Sequence, residues 1–485
     1  MKDLTKGNIY KTFFLFGLPL VLSGLLSQMY GTIDTAIAGR FLGETGLAAI
    51  GATAPLVTFV SSIFWGYGVG FGVYIARLFS RGEYAKIKSA VYSTVVMLFF
   101  VEFVLAATLI ALHGPLFELL NVEKSLQKAA FEYFAFYMGG LFFITLTTIS
   151  VFIMNAFGIG SFPFYMSLIS AVLNVGGNVL SVVAFGWGIK GLAIASVLAA
   201  LVVDVCYFFK FRKCLKEMGV HKERARLGFD NIKNSLPFAL PNMAQQEVMY
   251  VATLFISPLV NGLGAAASAS YSVVSRVYDI CAGVYQNSAR SVSNYTAQCV
   301  GQGKRDKIKK GVFVGLLQGV LFVTPFILAC CIFHKPICSL FFKADAAAAA
   351  KDYAYLFAKK YLPFLYLNLA CNLFHGLFRG VKATGYLFFS TLFAAAVRFV
   401  ASALLITKWG MEGFYVGWVI SWAAEAVFAT LLFFFGKWNV PAEGEAEFVR
   451  TEPTEQVAAP ERTGSTETSE SLEEAESTEE PKAAV

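Results

Sequence analysis

Two stretches decide the fold of this chain, YIARLFSRGEYAKIKSAV at residues 74–91 and YTAQCVGQGKRDKIKKGV at residues 295–312. They align at an offset of 221 residues, and seven of the 18 aligned positions are identical. Two shorter matches have nearly the same offset: Leu42-Gly43 with Leu263-Gly264, and Trp187-Gly188 with Trp409-Gly410. The sequence therefore contains an internal repeat, and each copy should form the same kind of structural unit.

The composition is that of a membrane protein. Of the 485 residues, 57% are hydrophobic and only 15% are charged, whereas a soluble domain contains about 25% charged residues. Apolar runs follow one another along the chain, and a helix needs roughly 20 such residues to cross a bilayer. These features exclude a soluble globular protein and predict an all-α polytopic membrane protein.

Apolar stretches and their turn and charge punctuation predict twelve transmembrane helices. We place them at residues 12–36, 48–74, 90–112, 130–154, 163–185, 190–209, 236–259, 267–296, 312–334, 354–377, 385–407 and 412–436. Six spans thus repeat as six more, and the two halves cross the membrane in the same direction. We expect an N-lobe at 12–209 and a C-lobe at 236–437, related by a pseudo-two-fold axis along the membrane normal, with a substrate cleft between them.

Charge in the connections predicts the orientation. Lys and Arg number 23 in one alternating set of connections and eight in the other, so the first set faces the cytoplasm. That set includes residues 1–11 and the inter-lobe linker at 210–235, and both termini are predicted to be cytoplasmic. We expect a monomeric, multi-pass protein of the bacterial inner membrane, in contact with lipid.

The segment at 438–485 is predicted to be a disordered acidic cytoplasmic tail. Residues 442–485 hold 13 acidic and three basic residues, and they are rich in Glu, Ser, Thr and Pro. Such a composition buries too little apolar surface to fold. Without this segment the chain has a net charge of +17 rather than +7. We assign that excess to membrane topology, and we do not expect nucleic acid as a partner.

Signatures of catalysis are absent from the sequence. No nucleophile elbow, phosphate-binding loop or HExxH zinc motif occurs in a context that would support it. The four His and eight Cys residues show no metal-ligand spacing. The chain is therefore predicted to be neither an enzyme nor the holder of a metal or cofactor.

Asp34 stands in the first predicted span with apolar sequence on both sides. Pro19, Ser23, Ser27, Tyr30 and Asp34 are spaced by 4, 4, 3 and 4 residues, which places them on one helical stripe. Tyr30 can donate a hydrogen bond to the carboxylate, and Pro19 provides a hinge because it removes a backbone hydrogen bond. Either Asp34 exchanges a proton or Na⁺ during transport, or it pairs with a fixed cation or caps a broken backbone.

Other polar residues inside the predicted spans are candidates for a water-filled path, because an ionisable group at a helix centre costs roughly 2.5–3.5 kcal/mol. Asn174 and Asn178 stand at i and i+4, so their amides either bond each other or line the ion path. His375 either titrates near neutral pH or is a hydrogen-bonded core residue. Further candidates for the substrate cavity are Met29, Gln245, Gln246, Glu247, Tyr271, Arg276 and Arg290.

Several of these candidates allow two interpretations. The segment from Gln245 to Glu247 is either a solvated helix start or a cation-attracting wall. Arg276 can form an ion pair with Asp279 at i+3, whereas Arg290 has no acid within a turn and could balance Asp34 or guard the cavity. Met29, Tyr30 and Tyr271 could form an adaptable wall for organic cations.

These features resemble the multidrug and toxic compound extrusion (MATE) family, in its DinF-like prokaryotic branch. The resemblance extends from about residue 8 to residue 437 in both halves, and it includes Pro19 with Asp34 fifteen residues later. The other matching motifs, in order, are AGRFLG (38–43), GLAAIG (46–51), SRG (80–82), GIKGLAIASV (188–197) and GQGKRDKIKKG (301–311).

The resemblance implies a two-lobed exporter that alternates between inward-open and outward-open states and expels amphipathic cationic compounds in exchange for H⁺ or Na⁺. It also implies that Asp34 is the coupling carboxylate and that Asn174 and residue 178 complete its site. Many relatives have Asp one turn after the Asn, whereas this chain has Asn178. This departure favours H⁺ first and Na⁺ second.

Two other functions are open on the sequence. A flippase or exporter for a lipid-linked or anionic metabolite would need several basic residues in the cavity, and the inward candidates are Arg276, Arg290 and Arg398. An integral-membrane enzyme would need clustered His, Asp or Glu at a membrane surface, and the sequence offers no such cluster.

Overall fold

The computed structural model describes residues 1–120, 122–342 and 347–440, without the side chains of 29–36, 38, 44, 45 and 47. The described residues contain helices and no strands. The helices are α1 Ile9–Phe41, α2 Gly43–Ser80, α3 Tyr84–Ala111, α4 His113–Leu119, α5 Lys124–Gly139, α6 Leu141–Ala156, α7 Ser161–Val179, α8 Ile189–Glu217, α9 Phe229–Asn261, α10 Ala265–Gly301, α11 Ile308–Ile332, α12 His334–Ser339, α13 Ala348–Leu356, α14 Leu365–Gly380 and α15 Thr384–Phe435.

Each predicted span corresponds to a described helix or helix pair. Seven of the described helices are long and apolar enough to cross a membrane, or eight if α5 and α6, bent by 49°, form one span. The helices α9 and α10 have the length but a more polar sequence, and α13 and α14 are joined by wider and tighter helical turns over 357–364. The helix α15 contains two predicted spans, separated by a non-helical Gly410. The all-α polytopic fold is therefore confirmed.

The repeat is visible in the backbone. The helices α1 and α9 both have 33 residues, and α2 and α10 have 38 and 37. Glycines with positive φ, a conformation that side chains disfavour, occur in three pairs at an offset of 221 or 222 residues. These pairs are Gly43 (φ 67°) with Gly264 (φ 97°), Gly82 (φ 74°) with Gly303 (φ 71°), and Gly188 (φ 61°) with Gly410 (φ 56°).

Buried apolar side chains form two main clusters. One contains mainly residues of α10 to α15 together with Phe13, Phe16 and Leu20 of α1, and the other contains mainly residues of α2 to α8. Residues 1–439 form one compact unit. The assignment of 12–209 and 236–437 to separate lobes stays a prediction, and the predicted disordered tail lies outside the described residues from 441 onward.

The two halves meet most closely where α2 crosses α9. A Cβ atom at Gly70 would lie 2.2 Å from the carbonyl oxygen of Phe238 and 2.5 Å from the Cα of Ala239. One turn earlier, a Cβ at Gly66 would lie 2.7 Å from the Cα of Met243. Glycine at these positions lets the two helix backbones come into direct contact.

Two cations that the charge pattern placed in the cytoplasmic set are buried. Arg77 is 3% exposed, and its Nη2 donates to the carbonyl of Gly380, the last residue of α14, at 2.9 Å. Lys88 donates to the carbonyls of Val220 and His221 after α8. Carbonyls beyond a helix C-terminus lack intrahelical donors, so these cations stabilise chain ends as well as setting topology.

Residues 1–8, here called the N-terminal strap, join the two halves at the ends of α6 and α10. The amide of Lys2 donates to the carbonyl of Phe157 at 2.9 Å, and the amide of Leu4 donates to Oε1 of Gln298 at 2.8 Å. Gln298 in turn donates through Nε2 to the carbonyl of Ala156 at 3.0 Å. The predicted linker at 210–235 is partly helical, because α8 extends to Glu217 and α9 begins at Phe229.

Candidate functional site

A cavity of about 850 Å³ lies between the halves. Side chains of α1, α2, α5 to α10, α14 and α15 line it. Its described lining includes serines, amides and aromatic rings, but few strong acids or bases. Tyrosines apart, the ionisable groups of the described lining are Arg290, His375, Arg379 and Glu425.

A chain of neutral hydrogen bonds forms the first-half side of the cavity. Asn178 Nδ2 donates to Asn174 Oδ1 at 3.1 Å, and Asn174 Nδ2 donates to Ser196 Oγ of α8 at 2.9 Å. The two asparagines are 2% and 0% exposed. They therefore bond each other, and Asn174 also lines the cavity, so both sequence interpretations hold together.

The helix that carries Asp34 packs against the helix that carries these asparagines. The helices α1 and α7 are in contact along their length, and Ser23 and Ser167 share a hydrogen bond of 2.6 Å between their hydroxyls. Ser23, which belongs to the predicted stripe, lines the cavity. The side chains of Met29, Tyr30 and Asp34 lie outside the described residues, so their predicted roles stay predictions.

The predicted hinge at Pro19 lies inside a continuous α1. Nearby, Gln318 Nε2 of α11 donates to the carbonyl of Phe13 at 2.6 Å. The backbone of α1 before the proline is thus tied to the second half of the molecule. Bending at Pro19 stays a prediction.

Asp204 of α8 is a buried carboxylate that the sequence interpretation missed. It is 8% exposed, and its Oδ1 accepts a hydrogen bond from Thr147 Oγ1 at 2.7 Å. Its Oδ2 has no described hydrogen-bond partner, and neither has the hydroxyl of Tyr207. Thr147 and Tyr207 line the cavity, so Asp204 lies directly behind this wall.

The second-half side of the cavity contains a charged network. Arg379 of α14 donates through Nη2 to Gln245 Oε1 at 2.8 Å and through Nε to Asn242 Oδ1 at 2.9 Å. Because its oxygen accepts from Arg379, the Gln245 amide directs its Nε2 to Thr391 Oγ1 at 3.1 Å and to His375 Nδ1 at 3.4 Å. Arg379, Gln245 and His375 are 7%, 5% and 4% exposed.

This network determines the tautomer of His375. Its Nδ1 faces an amide donor and so acts as an acceptor, which leaves the proton on Nε2. The Nε2 atom lies 3.3 Å from Glu425 Oε1 and 3.4 Å from Ser390 Oγ. A neutral His375 therefore donates toward the Glu425 carboxylate, and it is both a hydrogen-bonded residue and part of the cavity wall.

Arg290 of α10 faces the cavity among aromatic rings. Its guanidinium carbon lies 4.9 Å from the ring centre of Phe152 and 5.1 Å from that of Trp65. Its Nε is buried and has no hydrogen-bond partner in the described structure. Cation–π contact with these rings is the stabilisation that the described residues provide.

Three predicted cavity residues lie outside the described lining. Glu247 accepts a hydrogen bond from Ser62 Oγ at 2.6 Å. Tyr271 packs its ring on Phe414 and Trp418 at 5.5 and 6.1 Å. Arg276 is exposed on the other side of α10. Helical rotation explains these differences, because Gln245 and Gln246 reach the cavity whereas Glu247, the next residue, turns toward α2.

Sequence reasoning also missed Arg379, which it assigned to a cytoplasmic connection. One signal could have identified it, since His375 and Arg379 stand at i and i+4 and therefore share a helical face. Glu425 was noticed in a lipid-like run without a role. Its role depends on His375, 50 residues earlier in the sequence.

An all-helical bundle with a polar cavity between two repeated halves defines a multi-pass membrane transporter. The chain matches the MatE family over residues 19–180 and 238–404, which is more than half of its length, and it belongs to that family of transporters. The prediction that it is not an enzyme is confirmed by this membership. Placement in the DinF-like branch stays a prediction.

Individual relatives agree with the family. The chain is 23% identical to "Probable multidrug resistance protein YoeA" of Bacillus subtilis, over 70% of this chain and 74% of that protein. It is 24% identical to "FAD transporter" of Shewanella oneidensis, over 70% of this chain and 77% of that protein. The structure of an outward-facing multidrug resistance MATE family transporter superposes with a TM-score of 0.80, at 17% identity, over 93% of this chain and 99% of that chain.

Proposed function

We propose that the protein is a proton-coupled antiporter that exports amphipathic organic compounds, with Na⁺ as the second candidate for the coupling ion. It acts in the bacterial inner membrane, with both termini in the cytoplasm, as a monomer that binds no nucleic acid. Its membership of a family of multidrug efflux transporters supports export of small organic molecules. The cavity between the halves is the proposed substrate chamber.

One observation carries the proposal for the ion: the amide chain of Asn174 and Asn178 on the helix that packs against α1. Asn178 stands where a second carboxylate would be needed for a two-carboxylate Na⁺ site, and its amide already donates to Asn174. Neutral amides stabilise a proton-carrying Asp34 without adding a charge. This favours exchange of one proton over binding of a metal cation.

The driving force is sufficient for such a cycle. One charge that crosses a potential of 100 mV releases about 2.3 kcal/mol, and a pH gradient adds to that. The released free energy drives transport only if ion and substrate bind the two conformations unequally. We propose that Asp34 provides this difference for the ion and that the cavity provides it for the substrate.

The proposed substrates include organic cations, as the sequence resemblance implies, and the aromatic rings of the cavity support this class through cation–π contact. A second candidate class is anionic compounds. It is favoured by Arg290 and Arg379, which both line the cavity. The relative named FAD transporter agrees with this second class.

A test is dye efflux from a bacterium that lacks its own pumps, with and without a protonophore and in the presence or absence of Na⁺. The Asp34→Asn variant should lose coupled efflux while the protein remains folded in the membrane. The matched control is Asp352→Asn, which removes an exposed carboxylate on α13 and should leave efflux unchanged. Normal efflux by Asp34→Asn would remove Asp34 from the mechanism, and efflux that depends on Na⁺ but resists the protonophore would exclude the proton.

A further inference from the structure

The cavity is positively charged on its second-half side. Arg290 and Arg379 both line it, and they are close enough to repel each other electrostatically. An Arg side chain keeps its charge in proteins. Neither guanidinium forms an ion pair with a carboxylate among the described residues. Two unneutralised cations at one wall are costly unless an anion joins them for part of the cycle.

Arg379 is held rigidly but is not neutralised. Its hydrogen bonds go to the amide oxygens of Asn242 and Gln245, which carry no net charge. These bonds fix the plane of the guanidinium, and the side chain is 7% exposed. A guanidinium whose geometry is fixed in advance loses little conformational entropy when it binds a carboxylate or phosphate.

Arg290 completes the pair from α10. Its Nε is buried without a hydrogen-bond partner in the described structure, and its contacts are the rings of Trp65 and Phe152. A buried donor without a partner costs about 1–3 kcal/mol, and more for a charged group. A ligand that supplied acceptor oxygens would relieve this cost.

Glu425 does not neutralise this pair. Its Oε1 faces His375 Nε2 at 3.3 Å, and the Gln245 amide on the opposite nitrogen keeps that imidazole neutral. Glu425 is therefore hydrogen-bonded to a neutral ring rather than to an arginine. In the described lining, two arginines then stand against one carboxylate, and the net charge of these groups is positive.

We propose that Arg290 and Arg379 form an anion-binding subsite in the second-half wall of the cavity, which holds the carboxylate or phosphate group of an amphipathic substrate. The aromatic side chains of Trp65 and Phe152 then pack on its apolar body. Gln246 and Asn372 line the same cavity and offer amide donors to the anionic group. The subsite rests on the proposed role of the cavity as the substrate chamber, but it does not depend on which ion drives transport.

The test is equilibrium binding to the purified protein in nanodiscs without any ion gradient, so failure of proton coupling cannot affect it. Three probes share one fluorophore: dansyl-glycine is anionic, dansyl-glycinamide is neutral and dansyl-cadaverine is cationic. Dansyl-glycine should bind at least about tenfold more tightly than the amide, as expected for a charge-assisted hydrogen-bonded pair. Equal affinity for the two, or tightest binding of dansyl-cadaverine, would overturn the proposal.

Variants assign the effect to the subsite. Arg290→Gln should bring the preference for dansyl-glycine below about twofold, and Arg290→Lys should keep much of it because the charge remains. Arg276→Gln removes an exposed arginine of the same helix and should leave the preference intact. Loss of the preference in Arg276→Gln, or its retention in Arg290→Gln, would contradict the assignment.

The anionic group could belong to a soluble compound or to a lipid head group. Nanodiscs of phosphatidylcholine alone and nanodiscs that also contain phosphatidylglycerol separate these sources. Unchanged affinity for dansyl-glycine indicates a soluble substrate. Weaker affinity in the presence of phosphatidylglycerol, seen in the wild type and not in Arg290→Gln, supports the subsite and assigns it to a lipid phosphate.

Discussion

Each half of the molecule buries one carboxylate in its last helical segment, Asp204 in α8 and Glu425 in α15, and each is 8% exposed. Their separation is within one residue of the offset of 222 that relates Gly188 to Gly410. Asp204 accepts a hydrogen bond from the hydroxyl of Thr147, whereas Glu425 faces His375 in a network that includes Arg379. The repeated backbone therefore carries different charges in its two halves.

The first helices of the two halves differ in the same way. Asp34 in α1 aligns with Phe255 in α9 at the offset of 221, and Phe255 is 62% exposed with its ring on Phe399. The first half thus contains the carboxylate proposed for coupling, and the second half contains the arginines proposed for the substrate. Function is located where the two halves differ, on a frame that they share.

The largest effect on stability is expected from Arg379, because it connects the second-half network. Arg379→Met leaves the buried oxygens of Asn242 and Gln245 without their donor, and it should cost about 3 kcal/mol. Thermal unfolding can be followed with a thiol-reactive dye, since most of the free cysteines are buried. The exposed Arg276→Met is the control and should change stability by less than about 0.5 kcal/mol. Equal melting temperatures for the two variants would show that the network is not a source of stability.

The contact between the halves at Gly70 should be the next most sensitive. Gly70→Ala places a methyl group 2.2 Å from a backbone oxygen of α9, so the helices must separate, at a cost of about 1–3 kcal/mol. Gly176→Ala on α7 meets no atom within 4 Å and should be neutral or stabilising by up to about 1 kcal/mol. The same melting assay distinguishes the two, and a stabilised Gly70→Ala would mean that the halves are not in close contact there.

The two buried carboxylates can be compared directly. Glu425→Gln removes a negative charge from the wall that contains Arg290 and Arg379, so dansyl-glycine should bind about threefold to tenfold more tightly, an effect of roughly 1 kcal/mol. Asp204→Asn, on the first-half side, should leave that affinity unchanged. Weaker binding by Glu425→Gln would indicate instead that Glu425 positions the network through His375.

The smallest effect concerns the N-terminal strap, where the halves are joined. Burial raises the pKa of Asp3, but hydrogen bonds from Thr5 and Gln302 lower it by more, so that it lies below the ordinary value. Asp3 therefore stabilises the strap above the ordinary pKa of about 3.9, and this stabilisation is lost as pH falls through the lower folded value. Hydrogen exchange at the amides of Leu4 and Thr5 should increase over that range in the wild type. The same increase in Asp3→Asn would exclude Asp3 as its cause.

The sequence was sufficient for the fold, because repeat offset, glycine position and apolar runs are local signals. The pairing of Asn174 with Asn178 was also predictable, since both stand on one helix. Arg379 was not, because its partners Asn242 and Gln245 lie 137 and 134 residues away. A cation near a predicted helix end has the same local pattern whether it faces water or a buried amide, and packing between helices decides which.

The central claim is that coupling and substrate recognition reside in different halves. The most direct measurement uses proteoliposomes in which dansyl-glycine binding and its proton-driven accumulation are followed for Asp34→Asn and Arg290→Gln. Asp34→Asn should retain the wild-type affinity but lose accumulation, whereas Arg290→Gln should lose affinity for dansyl-glycine, with proton-driven transport of the neutral amide intact. If both variants lost affinity and accumulation together, the separation of the two roles would be contradicted.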